Sequence, residues 1–313
     1  MKTREIETQH GILQYEVRED GVVLTGYRGR DIALAIPERI EERPVTVIGK
    51  KAFLGAKNLQ QLFLPESIAV IQDWAFACCS ALRALVLPRK TLETGQGILK
   101  DCFRLQQIAA VSVKGGTPVS IEALSGPEIQ LSRLLAATLG SLDAFYLFEP
   151  LEAGSQSWLE RWDARLLSLL AQEDAEGFSK MLLCGEEDYG SRENNLDYYL
   201  EQRRRFKVRL AMLRLMNDIG LAPDVKEELL AYLRAHTKGE ASEETWKVVL
   251  EEHGDEREYY QFLLDSGCIH DGNFGAVLED MGERHTEMKA FLMNAHGGRT
   301  KMEDAFAALS FEL

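Results

Sequence analysis

The 313-residue chain is long enough for two domains of about 150 residues each. Its 45% hydrophobic and 27% charged content is that of a globular protein, which excludes disordered and fibrous classes. The net charge of −14 is uneven, because residues 1–127 hold 16 basic and 14 acidic side chains whereas residues 128–313 hold 20 and 36. A second half this acidic repels phosphate backbones and anionic surfaces, so no nucleic acid and no membrane is expected as a main partner.

Residues 1–6 begin with charges and lack the apolar run of a secretory signal. No stretch approaches the roughly 18 apolar residues that cross a bilayer. The five cysteines are odd in number, with Cys78 and Cys79 adjacent, a reduced pattern that predicts a cytoplasmic location. The first elements are two strands, from Gly11 to Val17 and from Val22 to Tyr27, flanking Glu19, Asp20 and Gly21. They read as a hairpin that caps the next segment.

From there a 23-residue echo sets the frame: Leu59, Leu62, Leu64 and Pro65 return as Leu82, Leu85, Leu87 and Pro88. Leu105, Ile108 and Ala110 continue it, while Ile48 and Phe53 return as Ile71 and Phe76, and Cys79 as Cys102. The stretch from Ile32 to Pro37 joins the frame, with Leu34 and Ile36 matching Leu62 and Leu64, once five inserted residues near 41–45 are allowed. Alternation gives each coil a short strand with one face buried, and the proline after the strand ends the ladder. A fixed period of this length specifies a solenoid of three to four stacked coils.

The pattern Leu-x-x-Leu-x-Leu-Pro, then Ile with Gly or Gln, then Ala-Phe, then Cys, resembles the BspA-like leucine-rich repeats over about residues 22–110. The third coil departs from it, with Thr94, Leu99 and Val111 where Ile, Phe and Pro are expected, as a terminal repeat does. The resemblance implies that the strands line the concave side and that residues between the buried leucines face a protein or peptide partner. Those positions are Ala33 and Ala35, Gln61 and Phe63, Ala84 and Val86, Gln107 and Ala109. Of these, Ala35, Phe63, Val86 and Ala109 form an apolar stripe across four strands, and stripes of this kind are seldom left wet. Either a segment of this chain lies on it or it is a groove for a partner.

Breakers between Val113 and Glu128 place a domain boundary near residue 127, giving a repeat domain over 1–127 and an acidic helical domain over 128–313. Helical spacing follows at Trp158, Trp162, Leu166, Leu169 and Leu170, and at Leu196, Leu200, Phe206, Leu210 and Leu213. Helix signals recur at Gly220 with Pro223 and at Ser242 with Glu243 and Glu244. The run from Tyr260 to Gly267 is echoed around Phe291 and Met293, and more loosely at residues 180–185. Its Leu-Leu-x-x-Gly ending resembles the second helix of an ankyrin repeat, so helix pairs of that kind are expected over about residues 160–296. The fold class is thus α+β and multidomain: a short leucine-rich-repeat β-solenoid followed by an all-α, ankyrin-like domain.

No constellation argues for catalysis. His236, His253, His270 and His285 are evenly spread, no two on one helical turn, with no accompanying Cys-x-x-Cys or His-Glu-x-x-His, so neither a metal nor another cofactor is expected. Gly95 with Gly97 and Gly26 with Gly29 lack the remaining residues of a phosphate loop, and the acidic clusters at 186–188 and 251–256 lack calcium-loop spacing. The one cationic feature runs from Arg203 to Arg209. In so acidic a half, Arg204, Arg205 and Arg209 either pair internally or form a patch for an anionic partner. The sequence therefore predicts a non-enzymatic interaction or scaffold protein inside a bacterial cell. A surface-displayed adhesin, and a regulator or enzyme with its site in the helical half, are the alternatives.

Overall fold

The structure, a computed structural model, describes residues 2–112, 121–179 and 195–297. The looser repeat at 180–185 and the acidic cluster at 186–188 lie outside them. The chain divides into two compact units, residues 1–167 with 217–220 and residues 168–216 with 221–313.

The first unit opens with an antiparallel meander of β1 (Arg4–Glu7), β2 (Gly11–Arg18) and β3 (Gly21–Gly29). Coils follow as short strands: β4 (Ala33–Ala35), β5 (Arg39–Ile40), β6 (Arg43–Ile48), β7 (Gln61–Phe63), β8 (Val70–Ile71), β9 (Ala84–Pro88), β10 (Glu93–Thr94) and β11 (Gln107–Val111). They form two ladders. One runs β1-β2-β3-β6-β8-β10 and the other β11-β9-β7-β4. The hairpin joins the first through the parallel pairing of Val22 with Val45 and Leu24 with Ile48. In the second, Leu34 lies against Leu62, Leu62 against Leu85 and Leu85 against Ile108, the register that the 23-residue echo predicts.

Between the ladders each coil is completed by the next. The N–H groups of Lys51, Phe53 and Gly55 donate to the carbonyls of Asp73, Ala75 and Ala77, and those of Trp74, Phe76 and Cys78 to Gln96, Ile98 and Lys100. This turn needs two left-handed residues per coil. Lys51, Trp74 and Gly97 occupy the first position at φ 59°, 57° and 59°, and Gly55, Cys78 and Asp101 the second at 70°, 58° and 60°. Inside, Tyr27 stacks on Phe53 at 5.4 Å and Phe53 meets Phe76 at 5.7 Å, an aromatic column that stops where Leu99 takes the position in the third coil. The cysteines link the same coils, since Cys79 Sγ donates to the Phe53 carbonyl at 3.1 Å and Cys102 Sγ to that of Phe76 at 3.2 Å. The hydrogen bond shared with Cys102, and then burial, push the Cys79 thiol up, so it packs as a neutral donor rather than a reactive thiolate.

The five inserted residues of the first coil form a tight hairpin, β5–β6, whose two turn residues Glu41 and Glu42 both have positive φ, 51° and 60°. That is the two-residue turn matching strand twist, usually filled by Asn-Gly. Glu41 is held there by the Tyr15 hydroxyl at 2.7 Å and by Arg4. Below it, the buried Asp31 carboxylate accepts from Thr8 Oγ1 at 2.6 Å, the Tyr27 hydroxyl at 2.8 Å and the His10 N–H at 2.8 Å. Burial alone raises this carboxyl. The three donors outweigh it and hold Asp31 below the ordinary carboxylate range, while burial and Asp31 push the Tyr27 phenol up to about 12.

The boundary expected near residue 127 does not separate the units. Pro127 starts helix α1 (Pro127–Leu139), but Leu134 and Leu135 of that helix are buried in the first unit. Helix α2 (Gln156–Ala171) is tied to it by Trp162 Nε1 donating to the Leu134 carbonyl at 3.1 Å, and Trp158 Nε1 donates to Leu147 at 2.9 Å. The breakers mark a connection, whereas the apolar face beyond it belongs to the repeats. The units divide within α2.

The second unit holds α3 (Leu196–Met216), α4 (Pro223–Ala235), α5 (Glu244–Glu252), α6 (Arg257–Asp265), α7 (Asp271–Met281) and α8 (286–297). Leu229, Leu233, Trp246, Val249, Tyr260, Leu263, Val277, Met281 and Leu292 form its interior. The stripe predicted on α3 is not the face it buries. Leu196 is exposed and Leu200, Phe206 and Leu213 are half-buried, whereas Lys207, Val208, Ala211, Met212 and Arg214 are buried beside Leu210. Lys207 is admitted because its ammonium meets the Asp174 carboxylate at 2.8 Å and the Gln172 carbonyl.

Two outcomes follow for stability. Glu42→Gly relieves a left-handed glutamate and is expected to raise unfolding free energy by up to about 1 kcal/mol in denaturant titration. Asp31→Asn is expected to cost about 1–3 kcal/mol at neutral pH through poorly matched buried donors. Because the folded Asp31 carboxyl is held low, the wild-type advantage is full above the unfolded value of about 4 and shrinks as pH falls through the lowered one. A wild-type advantage that stays constant on acidification would contradict this.

Candidate partner-binding surface

The outward rows of the β4–β7–β9–β11 ladder run Ala33, Gln61, Ala84, Gln107 and Ala35, Phe63, Val86, Ala109, each residue directly beside the next. The sequence places all eight on one face, and the structure keeps them together but treats its two ends differently. Ala33 and Ala35 are exposed, and Gln61, Phe63 and Gln107 are half-buried. Ala84, Val86 and Ala109 are buried at 4%, 2% and 4% exposure, in one cluster with Ile121 and Leu124, against which Phe63, Val111 and Ile129 also pack. A three-residue helical turn, Ile121–Ala123, and the start of α1 supply the cover.

Ala84, Val86 and Ala109 are thus not available to a partner. Leaving a valine and two alanines of adjacent strands in water is unfavourable, and the apolar residues that follow the last coil seal them. The open part of the face is Ala33 and Ala35 with the half-covered Gln61 and Phe63, next to Ile32, which is 62% exposed. Ile32 carries no signal in the repeat frame, where it reads as the first residue of a strand. Beyond the covered part, a cavity of about 350 Å³ lies between the end of β11 and α1, with Ile108, Val111, Leu131 and Leu135 on its walls and Arg89 and Glu128 as its charged groups. Arg89 Nη2 donates to the Ala153 carbonyl at 3.1 Å, which commits part of its hydrogen-bonding capacity to the fold.

The cationic run of α3 is answered within its own unit. Arg204 meets Asp174 at 2.7 Å and Glu244 at 3.6 Å; Arg205 meets Glu251 at 2.7 Å and Glu201 at 3.1 Å; Arg209 grips Glu252 through Nε at 2.8 Å and Nη2 at 2.6 Å. Burial raises Asp174, yet Lys207 and Arg204 hold it below the usual range, and the Asp174 hydrogen bond raises Arg204 in turn. Glu252 is lowered by Arg209 and Arg205 against the same burial. The three arginines proposed as an anionic-partner patch are therefore neutralised in place, and an acidic ligand has to displace these carboxylates before binding.

The histidines are spread over separate roles. His236 Nδ1 shares a hydrogen bond with Ser242 at 2.7 Å, and burial lowers its pKa. His253 stacks on Tyr259 at 3.6 Å. His270 caps α7, accepting from the Gly272 N–H while its own N–H donates to Asn273 Oδ1. His285 Nδ1 meets Asp255 at 2.9 Å. Among the described residues no group of His, Cys, Asp or Glu is placed to hold a metal ion, and no helix is long and apolar enough to cross a membrane.

Residues 36–114 match the family model of the BspA type leucine rich repeat region. This leucine-rich repeat segment is the solenoid described above, about four coils long. Three solved structures are similar over about a third of the chain. A leucine-rich repeat protein of T. pallidum is 24% identical, with 34% of this chain and 71% of that one covered and a TM-score of 0.24. One from Bacteroides ovatus is 21% identical, with 33% and 29% covered and a TM-score of 0.29. One from Bacteroides capillosus is 22% identical, with 36% and 99% covered and a TM-score of 0.25. No curated protein matches the sequence.

Leu124→Ala tests the seal. It is expected to destabilise the protein by about 2–5 kcal/mol, as for other buried leucines, and to increase binding of an apolar dye. A variant of wild-type stability would mean that Leu124 does not hold the cover.

Proposed function

We propose that the protein is a non-enzymatic interaction module, and that its partner is a protein or peptide bound on the open part of the repeat face: Ala33, Ala35, Gln61 and Phe63. Leucine-rich repeats generally mediate protein–protein interaction, and the observation that carries the reading here is the uneven covering of the stripe. Its far half is sealed by Ile121 and Leu124, while its near half stays accessible. Exposed apolar side chains flanked by a glutamine are the composition of a protein-binding patch rather than of a small-molecule site. The ankyrin-like reading of residues 160–296 belongs to the same proposal. It is supported by short helices in succession, α5 with α6 and α7 with α8, with left-handed glycines Gly267 and Gly282 in the connections after α6 and α7. The four described cysteines are free thiols, which supports a reducing compartment.

Phe63→Glu is the deciding variant. Capture of partners from a lysate of the native host is expected to fall at least tenfold with only a modest drop in melting temperature, because Phe63 packs on the edge of the covered cluster but is half-buried. Unchanged capture combined with a large loss of stability would show that Phe63 is packing rather than a contact.

A further inference from the structure

We propose that the protein self-associates through the free edge of β4, two copies pairing antiparallel about Leu34 to make one continuous sheet. In its parallel ladder the Ile32 carbonyl accepts from the Gln61 N–H at 3.1 Å, and the Ile36 N–H donates to the Phe63 carbonyl at 2.9 Å. In such a ladder alternate residues face opposite sides, so Ala33 and Ala35 turn their N–H and C=O groups away from β7. β4 is the last strand of its sheet, both alanines are exposed, and among the described residues no hydrogen bond reaches these outward groups. An edge of this kind is a template for another strand.

The chemistry on either side selects a second copy of the same chain. With a two-fold axis at Leu34, Ala33 faces Ala35 of the second copy and Ala35 faces its Ala33, each pair exchanging both hydrogen bonds. Arg30 and Glu38, which flank the strand near the bends at its two ends, are then brought to the same end of the pair, twice by symmetry. Both are exposed, and neither has an ion pair among the described residues, whereas Arg4 and Arg28 of the same cap pair with Glu41 and Glu5. Ile32, 62% exposed, comes opposite Ile36. Neighbouring registers fail. An axis at Ala35 sets Ala33 against Pro37, which has no N–H. One at Ala33 sets Ala35 against Asp31, whose N–H is already given to the Tyr27 hydroxyl at 3.0 Å.

Sedimentation of the full chain at rising concentration tests this. A reversible dimer is expected. Arg30→Glu and Glu38→Arg should each weaken it about tenfold or more by bringing like charges together, and the double variant, with the pair reversed, should restore it. Ala35→Pro should abolish the dimer while leaving the circular-dichroism melt near wild type, since an edge strand does not use an outward N–H in its own fold. A chain that stays monomeric at every concentration, including one whose edge takes up an extended peptide of another protein, overturns the proposal. So does a dimer indifferent to Ala35→Pro, or a double variant no closer to wild type than the singles. Because the readout is oligomeric state, its failure leaves the Phe63 reading to its own test.

Discussion

In the turns between the two ladders, alternate backbone groups cannot be paired within their own coil. The N–H groups of Lys51, Phe53 and Gly55 find their carbonyls on the next coil, at Asp73, Ala75 and Ala77, and those of Trp74, Phe76 and Cys78 do the same one coil later. Buried backbone groups left unpaired are costly, so the period is a hydrogen-bonding constraint before it is a packing one. It explains why a tryptophan is held left-handed at φ 57°: the ladder on both sides over-determines the turn, and the strain is tolerated. It also explains why Gly97 in the next coil has no side chain, since a Cβ there would stand 2.6 Å from the Trp74 ring.

A stack that relies on neighbours must be finished at both ends, and the two ends are finished differently. At the N-terminal end the hairpin supplies β3 to the ladder of β6, β8 and β10, and the Asp31 network clamps it there. The other ladder receives no such strand and ends on β4. At the far end the decayed third coil is followed by Ile121, Leu124 and α1, which lie on the face of the sheet. One ladder therefore has a covered face at one end and an uncovered face and edge at the other. The accessible surface is what remains once the ends have been satisfied.

The repeat made the register legible to the residue. Leu34 beside Leu62 was readable through a five-residue insertion because buried leucines and the following proline tolerate no other phase. What lies on top of the sheet was not legible. The period relates equivalent positions of successive coils, whereas the cover of Val86 comes from Leu124, which has no place in the repeat. The insertion near 41–45 was legible only as extra length; that it makes a hairpin with Glu41 at its turn depends on Tyr15 and Arg4 in strands far earlier in the chain. The boundary expected at 127 and the division into compact units within α2 differ for a related reason. Breakers mark where the backbone turns, and they say nothing about which core the next apolar face joins.

Helix α3 shows the same limit in electrostatic form. Periodicity assumes that charge points outward, but Lys207 is buried with Asp174, a residue distant in the chain that no spacing rule connects to it. A buried lysine is tolerable only with its partner in place, and with Asp174 supplying it the buried face of the helix takes in Lys207 beside Val208 and Ala211 rather than following the leucines alone. The arginines on either side are then drawn to Glu244, Glu251 and Glu252 of α5. The partly buried pairs of Arg204 and Arg205 and the more exposed pair of Arg209 together fix which helix α3 faces. They also commit Arg204, Arg205 and Arg209 to carboxylates of their own unit, so the cationic run read from the sequence is a set of internal pairs.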